Sequence, residues 1–146
     1  MILTSKNNFE FRLDVLDYAY PNTKNPEDLN WLTCLLTVSK QDKQWTYQSP
    51  CLQPFELNRL LEWLPLTQKD RLEFIEPTLA FSRKGFWKHG VIFHLHFFYE
   101  CPITDIFPEL LEDEDGCPFV ELQLTNAHLL TVSNTLKELL LSYPQK

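Results

Sequence analysis

The sequence predicts an α+β fold: an antiparallel β-sheet or sandwich of about seven strands with two helices packed on it. Three observations carry this. Several short segments alternate apolar and polar residues, as half-buried strands do. Two longer segments space their leucines as one helical stripe. Turn residues, among them ten prolines, fall between these segments. The length of 146 residues suits one domain spanning 1–146, and an apolar share of 44% can fill a core. No internal repeat or low-complexity linker is visible.

In Phe9 to Tyr18, Phe9, Phe11, Leu13 and Val15 share one face and Glu10, Arg12 and Asp14 the other, which predicts an amphipathic strand. Residues 21–29, with two prolines and two asparagines, predict a loop. Trp31 to Val38 reads as a more buried strand, residues 40–43 as a turn, and Trp45 to Gln48 as the start of its hairpin partner. Pro54 suits the first turn of a helix, and Leu57, Leu60, Leu61 and Leu64 give that helix one apolar stripe before Pro65 ends it. Leu72 to Ile75 and Thr78 to Arg83 predict short strands around Glu76-Pro77. Trp87 to Tyr99 is the longest strand-like run, with Gly90 as its expected bulge. Residues 101–118 form an acidic connection and Phe119 to Leu124 another alternating strand. A closing helix takes Asn126 as its expected N-cap and carries Leu129, Val132, Leu136, Leu139 and Leu140 on one stripe, with Pro144 beyond it.

Composition removes some function classes. The glycines are only Gly85, Gly90 and Gly116, all isolated, so neither a dinucleotide-binding GxGxxG nor a P-loop can be built. No run of eighteen apolar residues occurs, so no membrane span is expected, and the first residues lack a basic start and a long apolar run. The expected location is the cytoplasm. Cys34, Cys51, Cys101 and Cys117 are widely spaced without a CxxC pair, which argues against a zinc ribbon or a thioredoxin-like site. Cys34, in the apolar run WLTCLLTV, is expected to be a reduced core residue, with a disulfide open only for an exported protein.

Charge is distributed unevenly. Of the net charge of −7, residues 1–88 contribute nothing, since their acidic and basic side chains cancel. The surplus lies in residues 89–146, and from His89 to Thr135 there is no lysine or arginine. Glu109, Glu112, Asp113, Glu114 and Asp115 crowd into one short stretch. Mutually repelling carboxylates belong on solvent or opposite a cationic partner, so these five are the expected partner-binding residues. The same deficit of cations excludes direct binding of nucleic acid.

The candidates for chemistry are weaker. His94 and His96 alternate on one strand face and could share a metal ion if Glu100, His89 or His128 supplied a third ligand; a pair of histidines on a wetter strand face is the simpler reading. Cys101 or Cys117 beside His96 could make a nucleophile pair, but neighbouring carboxylates would raise the thiol pKa. Glu73, Glu76 and Glu100 could serve as paired carboxylates only if folding set them across a cleft. Trp31, Trp45, Trp63 and Trp87 read as core and sheet fillers rather than a ligand cage. The expectation is a protein without catalytic residues, metal or cofactor. A metal-dependent hydrolase centred on His94 and His96, and a small-ligand-binding module, stay open as alternatives.

Several segments together resemble a known family. These are PNTKNPEDLNWL at Pro21 to Leu32, Trp45, Cys51-Leu52, Glu56-Leu57, Trp63-Leu64, LEFIEPTLAF at Leu72 to Phe81, and Leu139 to Pro144. The series resembles the WapI-type immunity proteins of bacterial polymorphic-toxin systems, across about Phe9 to Pro144. The resemblance implies a cytoplasmic inhibitor that binds and occludes a cognate toxin domain. Such toxins are often nucleases with basic active surfaces, so a basic protein partner is expected. Neither the acidic run nor the His94–His96 pair matches a motif of that family.

Overall fold

The computed structural model describes residues 1–4, 8–68, 70–98 and 101–146. Within them the chain is an α+β fold of two four-stranded antiparallel sheets and two helices. The first sheet is a meander of β1 (Ile2–Thr4), β2 (Glu10–Tyr18), β3 (Leu32–Lys40) and β4 (Lys43–Leu52), followed by helix α1 (Pro54–Trp63). The second is a meander of β5 (Arg71–Glu73), β6 (Leu79–Trp87), β7 (Gly90–Phe97) and β8 (Phe119–Thr125), followed by helix α2 (Asn126–Ser142). Each half of the chain therefore runs four strands and a helix, a doubling of architecture with no trace in the residue pattern. The eighth strand, relative to the expected seven, is β1, whose three residues are too few to show a period.

The period-two pattern works as read. In the first sheet Leu3, Phe11, Val38 and Trp45 lie along one row of paired positions, and Leu13 pairs with Leu36. In the second, Leu72, Phe81, Leu95 and Val120 form one row, and Phe93 and Leu122 begin the next. These rows face inward: the Phe97 ring meets Phe11 edge-on at 6.4 Å and Trp45 at 5.6 Å, joining the sheets in one continuous core. In β2 the alternation breaks where Leu16 is inserted between Val15 and Asp17 as a bulge, which leaves Leu16 exposed.

Three local expectations are corrected. The bulge near Gly90 belongs to β6, where Lys84 is inserted between the paired positions Arg83 and Gly85. Trp87 ends β6 rather than starting β7, and it pairs with Gly90 across a tight turn. The N-cap of α2 is Thr125, whose side chain accepts the His128 N–H at 3.0 Å. No helix of the described residues is long and apolar enough to cross a membrane.

Two charged side chains are buried where the elements join. Glu56, in the first turn of α1, accepts the Gln53 N–H at 3.0 Å and the Ile75 N–H at 2.6 Å. Burial pushes its carboxyl above the ordinary value even though both N–H groups favour the charged form. Arg83, on the core side of β6, donates to the carbonyls of Gln68 and Trp63 and to Asp70 at 2.6 Å. Its guanidinium stacks 4.0 Å over the Trp63 ring, so it fastens the C-terminal end of α1, where helix carbonyls carry partial negative charge.

Candidate functional site

The acidic connection folds into a small hairpin. Asp113 is its hub. Its N–H donates to the Cys117 carbonyl at 2.8 Å, and its carbonyl accepts the Gly116 N–H at 3.0 Å. Gly116 has φ +78°, the left-handed conformation that the turn needs and that a residue without a side chain adopts freely. The Oδ1 atom of Asp113 accepts the N–H groups of Asp115 and Cys117, each at 2.9 Å. Next to the turn, Glu112 pairs with Pro118, and the Phe119 N–H donates to the Leu111 carbonyl at 2.9 Å.

The other oxygen of Asp113 reaches the second sheet. Oδ2 lies 2.7 Å from Nδ1 of His96 and 3.7 Å from Nη1 of Arg71. On its far side, His96 Nε2 lies 2.8 Å from Oγ of Ser82. Burial alone would raise the Asp113 pKa, but the Cys117 N–H, His96 and the Asp115 N–H outweigh it and hold the carboxyl below its ordinary value. Asp113 is therefore ionised, Nδ1 of His96 carries the proton and donates it, and Nε2 accepts from the Ser82 hydroxyl. Burial lowers the His96 pKa against the opposing pull of Asp113. Aspartate, histidine and serine come from the hairpin, β7 and β6, brought together by the register of the two strands and by the turn at Gly116.

His94 shares that sheet face. Its ring stacks on Phe119 at 4.2 Å, and its Nε2 meets Glu121 at 3.0 Å. Burial lowers its pKa, while the hydrogen bond to Glu121 opposes the shift. The two imidazoles are 6.1 Å apart between centroids, on one strand face as expected, but both nitrogens of His96 are already engaged. Among the described residues no three His, Cys, Asp or Glu side chains are placed to hold a metal ion. Of the expected third ligands, Glu100 lies outside the described residues. His128 bonds the Ile2 carbonyl, and His89 packs edge-on against Trp87.

The hairpin borders two open clefts on this face. The larger, about 680 Å³, is lined by the carboxylates Asp70, Glu112, Asp113, Glu114 and Asp115 and by the cations Arg71, Arg83 and Lys84, with Ser82 and His96 also in its wall. The smaller, about 460 Å³, takes Glu109, Leu110 and Leu111 from the hairpin's approach. Glu109, Glu112, Glu114 and Asp115 are exposed, and none is in an ion pair with a described residue. Asp113 is turned inward, its side chain 11% exposed. Leu111, among these carboxylates, is 71% exposed.

The remaining candidates are dispersed. Cys34, Cys51, Cys101 and Cys117 are all buried. Burial and then Asp113 push the Cys117 thiol up, away from nucleophilic character. Trp45 stacks on Tyr47, and Trp63 packs on Phe81 and Phe93, so two of the four tryptophans are core and no shared cage forms around them. Two of the segments that carry the family resemblance meet in the fold: Glu56 accepts the N–H of Ile75, from the stretch Leu72 to Phe81, at 2.6 Å.

Compared with known proteins, the chain matches the family model described as the immunity protein WapI-like family over residues 1–144. No curated protein and no solved structure matched it.

Proposed function

The chain belongs to the immunity protein WapI-like family, a membership that suggests a toxin-neutralising role, and from that premise we propose that it neutralises a cognate toxin domain by binding and occlusion, a neutralisation that involves no catalytic step. The observation that carries the mechanism is the acidic hairpin. Glu109, Glu112, Glu114 and Asp115 project to solvent with no described cation to neutralise them. Asp113 spends its charge inside the turn, which holds its neighbours outward.

The partner surface is basic, as the active face of a nuclease is. The carboxylates steer its approach and reject anionic surfaces. Rim charges set mainly the encounter rate, so lasting affinity needs an apolar contact; Leu111, exposed next to Glu112, supplies one. Encounter with such a toxin before it acts places the protein in the cytoplasm of the producing cell. The single contiguous core supports its working as one domain.

The test is to mix the protein with a candidate cognate toxin domain and follow both complex formation and toxin activity. The reading expects a stable complex and lost activity. It also expects a substantially weaker complex for the quadruple variant Glu109→Gln, Glu112→Gln, Glu114→Gln, Asp115→Asn. A quadruple variant that binds and protects as well as the parent removes the hairpin from the mechanism.

A further inference from the structure

We propose that Ser82 is an activated nucleophile, open to small electrophilic esters through the larger cleft. This capacity goes beyond toxin neutralisation and is independent of it. The three side chains stand in the roles of a hydrolytic triad. Ser82 Oγ donates to His96 Nε2 at 2.8 Å, and His96 Nδ1 donates to Asp113 Oδ2 at 2.7 Å. A nucleophile within hydrogen-bond reach of a base, with a third group fixing the tautomer of that base, is recognised by geometry, whatever the fold. Asp113 is in turn held by two backbone N–H groups on its Oδ1, which keeps Oδ2 aimed at His96 Nδ1 and favours the tautomer with the proton there.

Position in the cleft and the cross-strand neighbour bear on the same assignment. Ser82 is buried, 6% exposed, at the wall of the cleft, so only a small ester reaches its Oγ. The backbone amides around it are committed to the sheet ladder, so negative charge developing on a substrate would meet side-chain cations. Arg71 sits directly opposite Ser82 in register, where cross-strand Cβ atoms are about 5 Å apart, and Lys84 lines the same cleft. The same cleft also carries Arg83 and the carboxylates Asp70, Glu112, Asp113, Glu114 and Asp115, which disfavour an anionic substrate, so a small uncharged ester is the class that fits. In the reaction Oγ of Ser82 bonds to the carbonyl carbon while its proton passes to His96 Nε2. The alkoxide then leaves with the bonding pair and takes that proton. Water, deprotonated by His96, cleaves the acyl-serine and restores the hydroxyl.

The probe is a small alkyl fluorophosphonate. Oγ of Ser82 bonds to phosphorus, the P–F bond breaks, fluoride departs and His96 takes the proton. The folded protein should gain the mass of one phosphonyl group, located on Ser82 by peptide mass spectrometry. Ser82→Ala should gain none, and His96→Gln should be labelled about 100-fold more slowly, the lower bound for loss of a general base. The wild-type result needs no variant to fold. Absence of labelling, an adduct on another residue, or a His96→Gln rate equal to wild type would each overturn the proposal, and none would touch the toxin-binding reading.

Discussion

Oδ2 of Asp113 lies 2.7 Å from Nδ1 of His96, and through this contact the acidic hairpin is fastened to the middle strands of the second sheet. The same carboxylate also holds the turn together. Removing it strands the His96 ring N–H and two backbone N–H groups. Asp113→Ala should therefore cost about 2 kcal/mol of stability in chemical denaturation, and amide exchange across 111–118 should quicken. Asp115→Ala keeps its backbone N–H and should stay within about 0.5 kcal/mol of wild type. Equal costs for the two variants would contradict the hub role.

The histidines set a sign for acid sensitivity. Burial holds His96 and His94 below the ordinary histidine pKa in the folded chain. The unfolded chain then binds more protons between the two values, so stability is complete above about pH 6.5 and falls as pH drops toward the folded values. Asp113 acts in a lower window, its contribution lost as pH falls below about 4. Thermal melts of His96→Gln should show a shallower loss between about pH 6.5 and 5 than wild type. An unchanged slope would mean that His96 is not held neutral.

Two glycines of the β6–β7 hairpin should answer alanine differently. A Cβ on Gly90 would sit 1.9 Å from the Leu124 carbonyl oxygen, and that backbone atom cannot yield without disturbing the ladder. Gly90→Ala should cost about 3 kcal/mol. A Cβ on Gly85 meets nothing within 4 Å, so Gly85→Ala should be neutral to slightly stabilising, by up to about 1 kcal/mol. Denaturant midpoints of the two proteins read the contrast directly.

Arg83 offers a further check on how α1 is seated. Arg83→Met fills similar volume but leaves Asp70 and the Gln68 and Trp63 carbonyls without their cation. Breaking such a buried set should cost about 3 kcal/mol or more, measured by denaturation. The Trp63 indole loses the cation above its ring, so its fluorescence should change in the folded state as well.

The parts of the fold that could be read beforehand are those whose signal is local. Phe11, Leu13, Glu10 and Arg12 alternate, and β2 alternates with them; the leucines at 57, 60 and 64 recur at helical spacing, and α1 is there. Strand β1 leaves no signal because three residues show no period, and the start of α2 is ambiguous in sequence because Thr125 and Asn126 are both good caps. The acidic run was visible, but its inward member was not. Asp113 finds His96 seventeen residues away and His96 finds Ser82 fourteen away, pairings that depend on register and on one glycine turn. The nearest sequence signal was Gly116 after four carboxylates, which marks a turn but not what the turn faces.

The central claim, that exposed carboxylates of the hairpin guide a basic partner, is tested most directly by the association rate constant with the toxin domain across salt. Stopped-flow mixing from about 10 mM to about 1 M salt shortens the screening length from roughly 30 Å to 3 Å. The account predicts at least a tenfold fall in rate, and a much smaller fall from a lower start for Glu112→Gln, Glu114→Gln, Asp115→Asn. A wild-type rate that stays constant across that range would contradict it.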